Sequence, residues 1–305
     1  MSAGNYLQAG IFAVGNMLLV LLLAPLLEGV IRKLRAIVHS RKGPPVTQPY
    51  LDLLKLLAKE DLRVTANAAL SLGPVVFLAA ILVAAAIMPL GGYAPASGAG
   101  DILVFVGLLT LAGAALAALG FATGSPFSSI GSSREVMLML ATEPVLMLSL
   151  FVVALKAGAL TFGELVAVSP SVSTTVAAVA YLLALQMYVA KLPFDITEAE
   201  TELMGGPLTE LSGPKLAICE WGIFAKQFIY ASLFIQLFLP WSLRFVPLAG
   251  VPVLLNLLWV FVLNLVIVGV TATLHPRLRL DQAMRYGVSV AVVAALALAY
   301  ATMGT

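Results

Sequence analysis

The chain has 305 residues, 61% of them hydrophobic and only 10% charged, with a formal net charge of +2. A soluble protein of this length needs far more polar surface, so the composition excludes a soluble enzyme and leaves an integral membrane protein. A single cysteine, Cys219, excludes an internal disulfide framework and a self-contained iron–sulfur site, and His39 and His275 show no ligand spacing.

Eight apolar segments are expected, at about 6–30, 71–93, 101–122, 135–158, 172–192, 217–240, 248–273 and 286–303. Each approaches the roughly 20 residues that cross a bilayer as a helix, the default way to satisfy the backbone in lipid. The fold class is therefore an all-α integral membrane protein, one polytopic unit over 1–305 with loops at about 31–70, 123–134, 193–216 and 274–285. The first run is long and lacks a basic start, so no cleavable signal peptide is expected. No internal repeat points to an inverted-repeat transporter.

Segment one ends with Glu28, one turn before Arg32, a spacing that suits an ion pair. The loop after it carries Arg32, Lys33, Arg35, Arg41, Lys42, Lys55, Lys59 and Arg63. Arg134, then Lys191 and Lys215, then Arg277, Arg279 and Arg285 fall in loops on the same side, against only Lys156 and Arg244 opposite. The bias places these loops in the cytoplasm and both termini outside. Gly43-Pro44-Pro45 breaks any helix within the first loop. Beyond Pro49, Asp52, Lys55 and Lys59 recur on one face, with Leu51, Leu53, Leu54 and Leu57 around the other. That pattern predicts an amphipathic helix on the membrane surface or against a partner.

Segment four contains Glu143, followed by Pro144. A carboxylate at that depth must be paired, hydrated or protonated, and Pro144 frees a backbone carbonyl one turn earlier. Glu135 lies eight residues before it, about 12 Å along a helix and about 80° around it, within reach of one water chain. Arg134 beside it is positioned to hold Glu135 ionised, or Glu135 merely caps the helix in a charge pair. Glu143 is either a relay group or a protonated carboxyl bonded to a neighbouring helix. Segment six adds Glu220 and the deeper Lys226, followed by Gln227. Six residues apart, Glu220 and Lys226 face different ways, so Lys226 needs a carboxylate from another helix or a hydrated cavity.

Between segments five and six, KLPFDITEAETELMGGPLTELSGPK runs from Lys191 to Lys215. It holds Asp195, Glu198, Glu200, Glu202 and Glu210, five of the fifteen acidic residues of the chain. The loop is either a solvated acidic surface or a contact for something outside the membrane. Its Leu192-Pro193-Phe194 entry suits packing.

Four stretches give the chain a family resemblance over nearly its whole length: RKGPPVTQPYLDLLKLLAKED (41–61), GSSREVMLMLATEP (131–144), LPFDITEAETELMGGPLTELSG (192–213) and PRLRLDQAM (276–284). In this order they resemble the membrane subunit shared by respiratory complex I (subunit 1, the H subunit) and the energy-converting membrane-bound [NiFe]-hydrogenases and formate hydrogenlyases. Pro45-Val46-Thr47-Gln48 and Ala141-Thr142-Glu143 depart from the usual complex I pattern. Arg134-Glu135, Glu143-Pro144 and Trp221…Lys226-Gln227 look more like the hydrogenase branch. Leu211 replaces a tyrosine common in the family, which puts any role of that hydroxyl in doubt.

The resemblance implies a non-catalytic coupling subunit in the inner membrane of a bacterium or archaeon. It carries no cofactor of its own, and its partner subunits hold iron–sulfur clusters and a [NiFe] site. The expected partners are hydrogenase large and small subunits, an iron–sulfur subunit, antiporter-like membrane subunits and the bilayer, with no nucleic acid. The resemblance assigns ion coupling to Glu143, with Glu135, Glu220 and Lys226 as extensions by depth and charge. It assigns a coupling role to the five loop acids, and soluble-arm contacts to Arg41, Gly43, Pro44, Gln48, Asp52, Lys55, Arg134, Arg279 and Asp281. A quinone-pocket subunit, a stand-alone secondary transporter and a purely structural anchor remain as alternatives.

Overall fold

The computed structural model describes residues 3–62, 67–90, 100–239 and 251–304, with backbone alone at 3–7, Glu200, Thr201 and Val251. Arg63 and Arg244 lie outside the described residues, as does the side chain of Glu200. Helices dominate: α1 (Ala3–Val38), α2 (Gln48–Leu57), α3 (Ala68–Ile87), α4 (Ile102–Ala122), α5 (Pro126–Ala157), the single turn α6 (Phe162–Leu165), α7 (Val172–Val189), the single turn α8 (Glu200–Leu203), α9 (Gly213–Phe238), α10 (Val251–Leu263) and α11 (Leu280–Thr302). Helix α10 continues as a π-helical stretch, Asn264–Val270, and a last α turn, Thr271–Leu274. Eight of these helices are long and apolar enough to cross a membrane, so the all-α membrane fold expected from hydropathy is present.

The helices outrun their apolar segments at the charged end. Helix α1 runs to Val38 and α5 starts at Pro126, nine residues before the apolar stretch at 135. Hydropathy marks the part of a helix that suits lipid, whereas helix ends are set by local chemistry. Ser125 and Pro126 begin α5 as extended N-cap and first-turn proline. Gly158, at φ +69°, ends it in the left-handed conformation. At 36 residues α1 is about 54 Å long, well beyond a core of roughly 30 Å, so its Arg32–Arg35 end projects past the lipid.

Helix α9 is the most buried of the eight and forms the axis of the bundle. It packs against α1, α3, α7 and α10, while α5 and α11 close around α7 and α4 packs between α3 and α5. Helix α2 forms where the leucine periodicity places it. It lies on α9 through buried Pro49 and Leu53 and leaves Leu51, Leu54 and Lys55 exposed.

The acidic loop between α7 and α9 folds back onto the bundle. Gly206, at φ +57°, has no room for a side chain, because a Cβ there would stand 2.0 Å from the Thr197 carbonyl oxygen. Gly131 of α5 is equally closed, since its Cβ would meet the Gly206 Cα at 2.7 Å. The loop's far end is tied to the first loop. Ser212 Oγ accepts from the Leu62 N–H at 2.9 Å and donates to its carbonyl at 3.1 Å, and Lys215 pairs with Asp61 at 3.0 Å.

Candidate functional site

The charged ends of α1, α5, α7 and α9 meet beneath the acidic loop around a cavity of about 320 Å³. Its wall carries five carboxylates, Glu28, Glu135, Asp195, Glu198 and Glu220, and four cations, Arg32, Arg35, Lys191 and Lys226. Such a density of charge survives in a membrane protein only when the groups pair or hold water. Glu28, nearly fully buried, takes Arg32 at 3.2 Å, as its i,i+4 spacing predicted, and Lys191 at 3.3 Å on its other oxygen. Arg32 also reaches Asp52 at 3.2 Å, and Gln48 Nε2 donates to the second Asp52 oxygen at 2.9 Å. Asp52, held by Gln48 within α2, thus ties α2 to α1.

Lys226 finds its carboxylate on another helix: its Nζ lies 3.7 Å from Glu135 Oε1, both side chains largely buried. Arg134 does not hold Glu135, contrary to the expectation from their adjacency. Consecutive helical residues point about 100° apart. Arg134 turns to the loop instead, donating to Glu202 at 2.8 Å and to the Ile196 carbonyl at 3.3 Å. Nor does Glu135 cap its helix, because α5 begins nine residues earlier.

A second, small cavity of about 30 Å³ lies on the other side of the Lys226–Glu135 pair. It is lined by Glu143, Thr142, Tyr188 and Tyr230, with Glu135, Lys226 and Ala190 common to both cavities. That volume suffices for a water or two. Glu143 makes no hydrogen bond or ion pair among the described residues, and Tyr188 Oη is buried without one. The structure therefore places Glu143, Glu135 and Lys226 on one polar line, with Glu220 on the wall of the large cavity.

The loop acids separate into distinct environments. Asp195 pairs with Arg277 at 2.9 Å, and the Leu278 N–H donates to the Pro193 carbonyl at 2.9 Å, locking the loop onto the approach to α11. The Arg134 hydrogen bond and charge hold the Glu202 carboxyl below its ordinary range. Glu198 faces the cavity. Burial raises its pKa to about 7, opposed by Lys191 and assisted by Asp195, Glu135 and Glu220. Glu210 is half-buried. Of the first-loop and α11 residues, Arg41, Pro44, Lys55, Arg279 and Asp281 are exposed, while Gly43 is half-buried and its carbonyl accepts from Lys33 at 3.4 Å. Among the described residues no group of three or more His, Cys, Asp or Glu side chains is arranged to hold a metal ion.

Sequence reasoning missed Lys191, Arg277, Tyr188 and Tyr230. Lys191 directly precedes the acidic island, a signal that could have paired it with a buried acid. The tyrosines lie within apolar segments, where nothing distinguishes a lining residue from a packing one.

Comparison with known proteins yields a consistent set. The NADH dehydrogenase family profile matches residues 11–303. The chain is 39% identical to hydrogenase-4 component C of Escherichia coli (strain K12) over 83% of its own length and 84% of that protein's. It is 35% identical to formate hydrogenlyase subunit 4 of the same strain, over 85% and 87%. An NADH-quinone oxidoreductase subunit of Geobacter sulfurreducens is 31% identical, over 88% and 87%. In the structure of the membrane-bound sulfane sulfur reductase, an archaeal respiratory membrane complex, one chain superposes with a TM-score of 0.82 at 25% identity, covering 96% of this chain and 99% of that one.

Proposed function

Because the chain belongs to the NADH dehydrogenase family of membrane subunits, we propose that it anchors a soluble hydrogenase-type redox arm and couples that arm's electron transfer to ion movement in the membrane. The arm carries the iron–sulfur clusters and the [NiFe] site, and antiporter-like membrane subunits continue the ion path. The complex sits in the inner membrane with the acidic loop on the cytoplasmic side and the termini opposite, as the Lys and Arg bias supports. The observation that carries the proposal is the Lys226–Glu135 pair, which stands between the loop-covered cavity and the small cavity of Glu143.

The mechanism is electrostatic. Electron transfer in the arm changes the charge near the loop, which the exposed Arg41, Lys55, Arg279 and Asp281 help to dock. Glu198, with a pKa near neutrality, takes up or releases a proton in response. In a low-dielectric cavity that change in charge alters the field at Glu220, the Lys226–Glu135 pair and then Glu143. A purely structural anchor is the second reading. It draws support from Asp195 and Glu202, whose internal ion pairs already hold the loop to its own chain.

A gentle purification through a tag on this chain, followed by mass spectrometry and metal analysis, tests the partnership. Nickel, iron and a hydrogenase large subunit are expected together. Iron and flavin without nickel would move the chain to a complex I-type assembly, and a lone stable polypeptide would contradict the proposal.

A further inference from the structure

Glu143 is too far from the ion pair to touch it. Helices α5 and α9 both start at the loop-covered end, with Gly131 against Gly206 and Ser212 tied to Leu62, so they run inward in the same direction. Glu135 and Glu143 are eight residues apart, about 12 Å along α5, well beyond a direct hydrogen bond. On α9, Tyr230 stands four residues past Lys226, about 6 Å deeper and about 40° around the helix. Since Lys226 meets Glu135, Tyr230 falls midway in depth between the ion pair and Glu143.

The Tyr230 hydroxyl is the group left to fill that gap. Tyr230 lines the same small cavity as Glu143, and its hydroxyl, like the Glu143 carboxyl, makes no hydrogen bond among the described residues. An interior phenol without a partner is costly unless water satisfies it, and the cavity has room for that water. The fields of Glu143 and Glu135 both reach the phenol. Other polar groups of the cavity are engaged or closed off. Thr142 Oγ1 donates to the Leu138 carbonyl at 2.9 Å, and Tyr188 Oη has no water-sized space beside it. Tyr188 acts instead as a platform, its ring stacked on that of Tyr230 with centroids 4.9 Å apart and planes at 15°. Tyr181 Oη donates to the Tyr230 carbonyl at 3.0 Å. Ring and backbone of Tyr230 are thus fixed from α7, while its hydroxyl is unspent.

We infer that Tyr230 is a positioning residue for Glu143, its hydroxyl bridging the Lys226–Glu135 pair to the Glu143 carboxyl through a water in the small cavity. As a proton relay the bridge balances. A proton from the pair bonds to the phenol oxygen as the phenol's own proton passes to the water, and a proton of that water passes to a Glu143 carboxylate oxygen. Phenol and water end with the hydrogens they began with. The relay step rests on the coupling proposal; the bridge itself does not.

The test is infrared difference spectroscopy of the purified complex at a pH acid enough to protonate Glu143, whose carbonyl band is the one lost in Glu143→Gln. Tyr230→Phe keeps the stacked ring and removes only the hydroxyl. The Glu143 band is expected to shift to higher wavenumber, as a carbonyl does when it loses hydrogen bonding. 3-Fluorotyrosine placed at position 230, nearly isosteric and a stronger donor, should shift the band the other way, and it decides the question if Tyr230→Phe does not co-purify with the partner subunits. Tyr286→Phe, which loses a 2.9 Å bond to the Leu183 carbonyl but lines neither cavity, should leave the band in place. A band unmoved by either change at position 230 would overturn the inference. In proteoliposomes, ion movement per electron should be lost in Tyr230→Phe while the arm's activity with an artificial donor is kept. A shifted band with undiminished ion movement would overturn the relay step. A native complex that forms no gradient would contradict coupling, and the band would still decide the bridge.

Discussion

Lys226 on α9 and Glu135 on α5 form an ion pair at 3.7 Å that is the common wall of two cavities. Removing one partner leaves a buried charge unpaired. Lys226→Met is expected to destabilise the chain by up to about 3–5 kcal/mol, read as a lowered melting temperature in detergent. Lys226→Met with Glu135→Leu should recover most of that stability, yet gradient formation should stay lost. Recovery of both would mean that the pair serves stability alone.

The loop is held by pairs of unequal strength. Glu202 is exposed, so its bond to Arg134 is expected to contribute no more than about 1 kcal/mol. Asp195–Arg277 is less exposed and is continued by the Leu278–Pro193 backbone bond. Arg277→Ala should raise hydrogen exchange across 193–212 more than Arg134→Ala does. The reverse order would show that the contact with α5, not that with the α11 approach, holds the loop.

Gly206 tests the close approach directly. Gly206→Ala puts a methyl against the Thr197 carbonyl at a φ that side chains rarely adopt. The loop should leave α5, with faster proteolysis within 193–212 and reduced co-purification of the soluble arm. Wild-type protease resistance would show that the Thr197–Gly206 turn relaxes without consequence.

Glu198 gives the pH dependence a sign. Its pKa is raised from the ordinary 4.5 to about 7, chiefly by burial, so the docked loop binds more protons than a released one between those values. Loop docking is therefore strongest below about 4.5 and weakens as pH rises to about 7, after which this contribution is constant. Hydrogen exchange of the loop, corrected for the intrinsic pH effect, should rise through that window in the native chain and lose the trend in Glu198→Gln. An unchanged trend in the variant would assign the titration to another group.

The membrane fold was legible because long apolar runs report directly on lipid. The eight spans and the surface helix α2 followed from period and length. The ends of α1 and α5 did not, since polar turns such as Ser128–Ser132 extend a helix without adding hydropathy. Glu143, Glu135, Glu220 and Lys226 stood out as charges in apolar segments, and the structure brings them to the walls of adjoining cavities. Their partners could not be read. Arg134 looked like the natural companion of Glu135 in sequence, but helical rotation sends it to Glu202 and leaves Glu135 to Lys226, 91 positions away.

The most direct test of coupling is Glu143→Gln in the purified complex, reconstituted in proteoliposomes. Glu143 lines the small cavity beyond the ion pair and has no protein partner among the described residues, so neutralising it should leave the arm's activity with an artificial electron donor near normal. Ion movement per electron, followed with a lumenal pH dye and with a sodium-sensitive dye, should collapse. A gradient equal to that of the native complex would contradict the account.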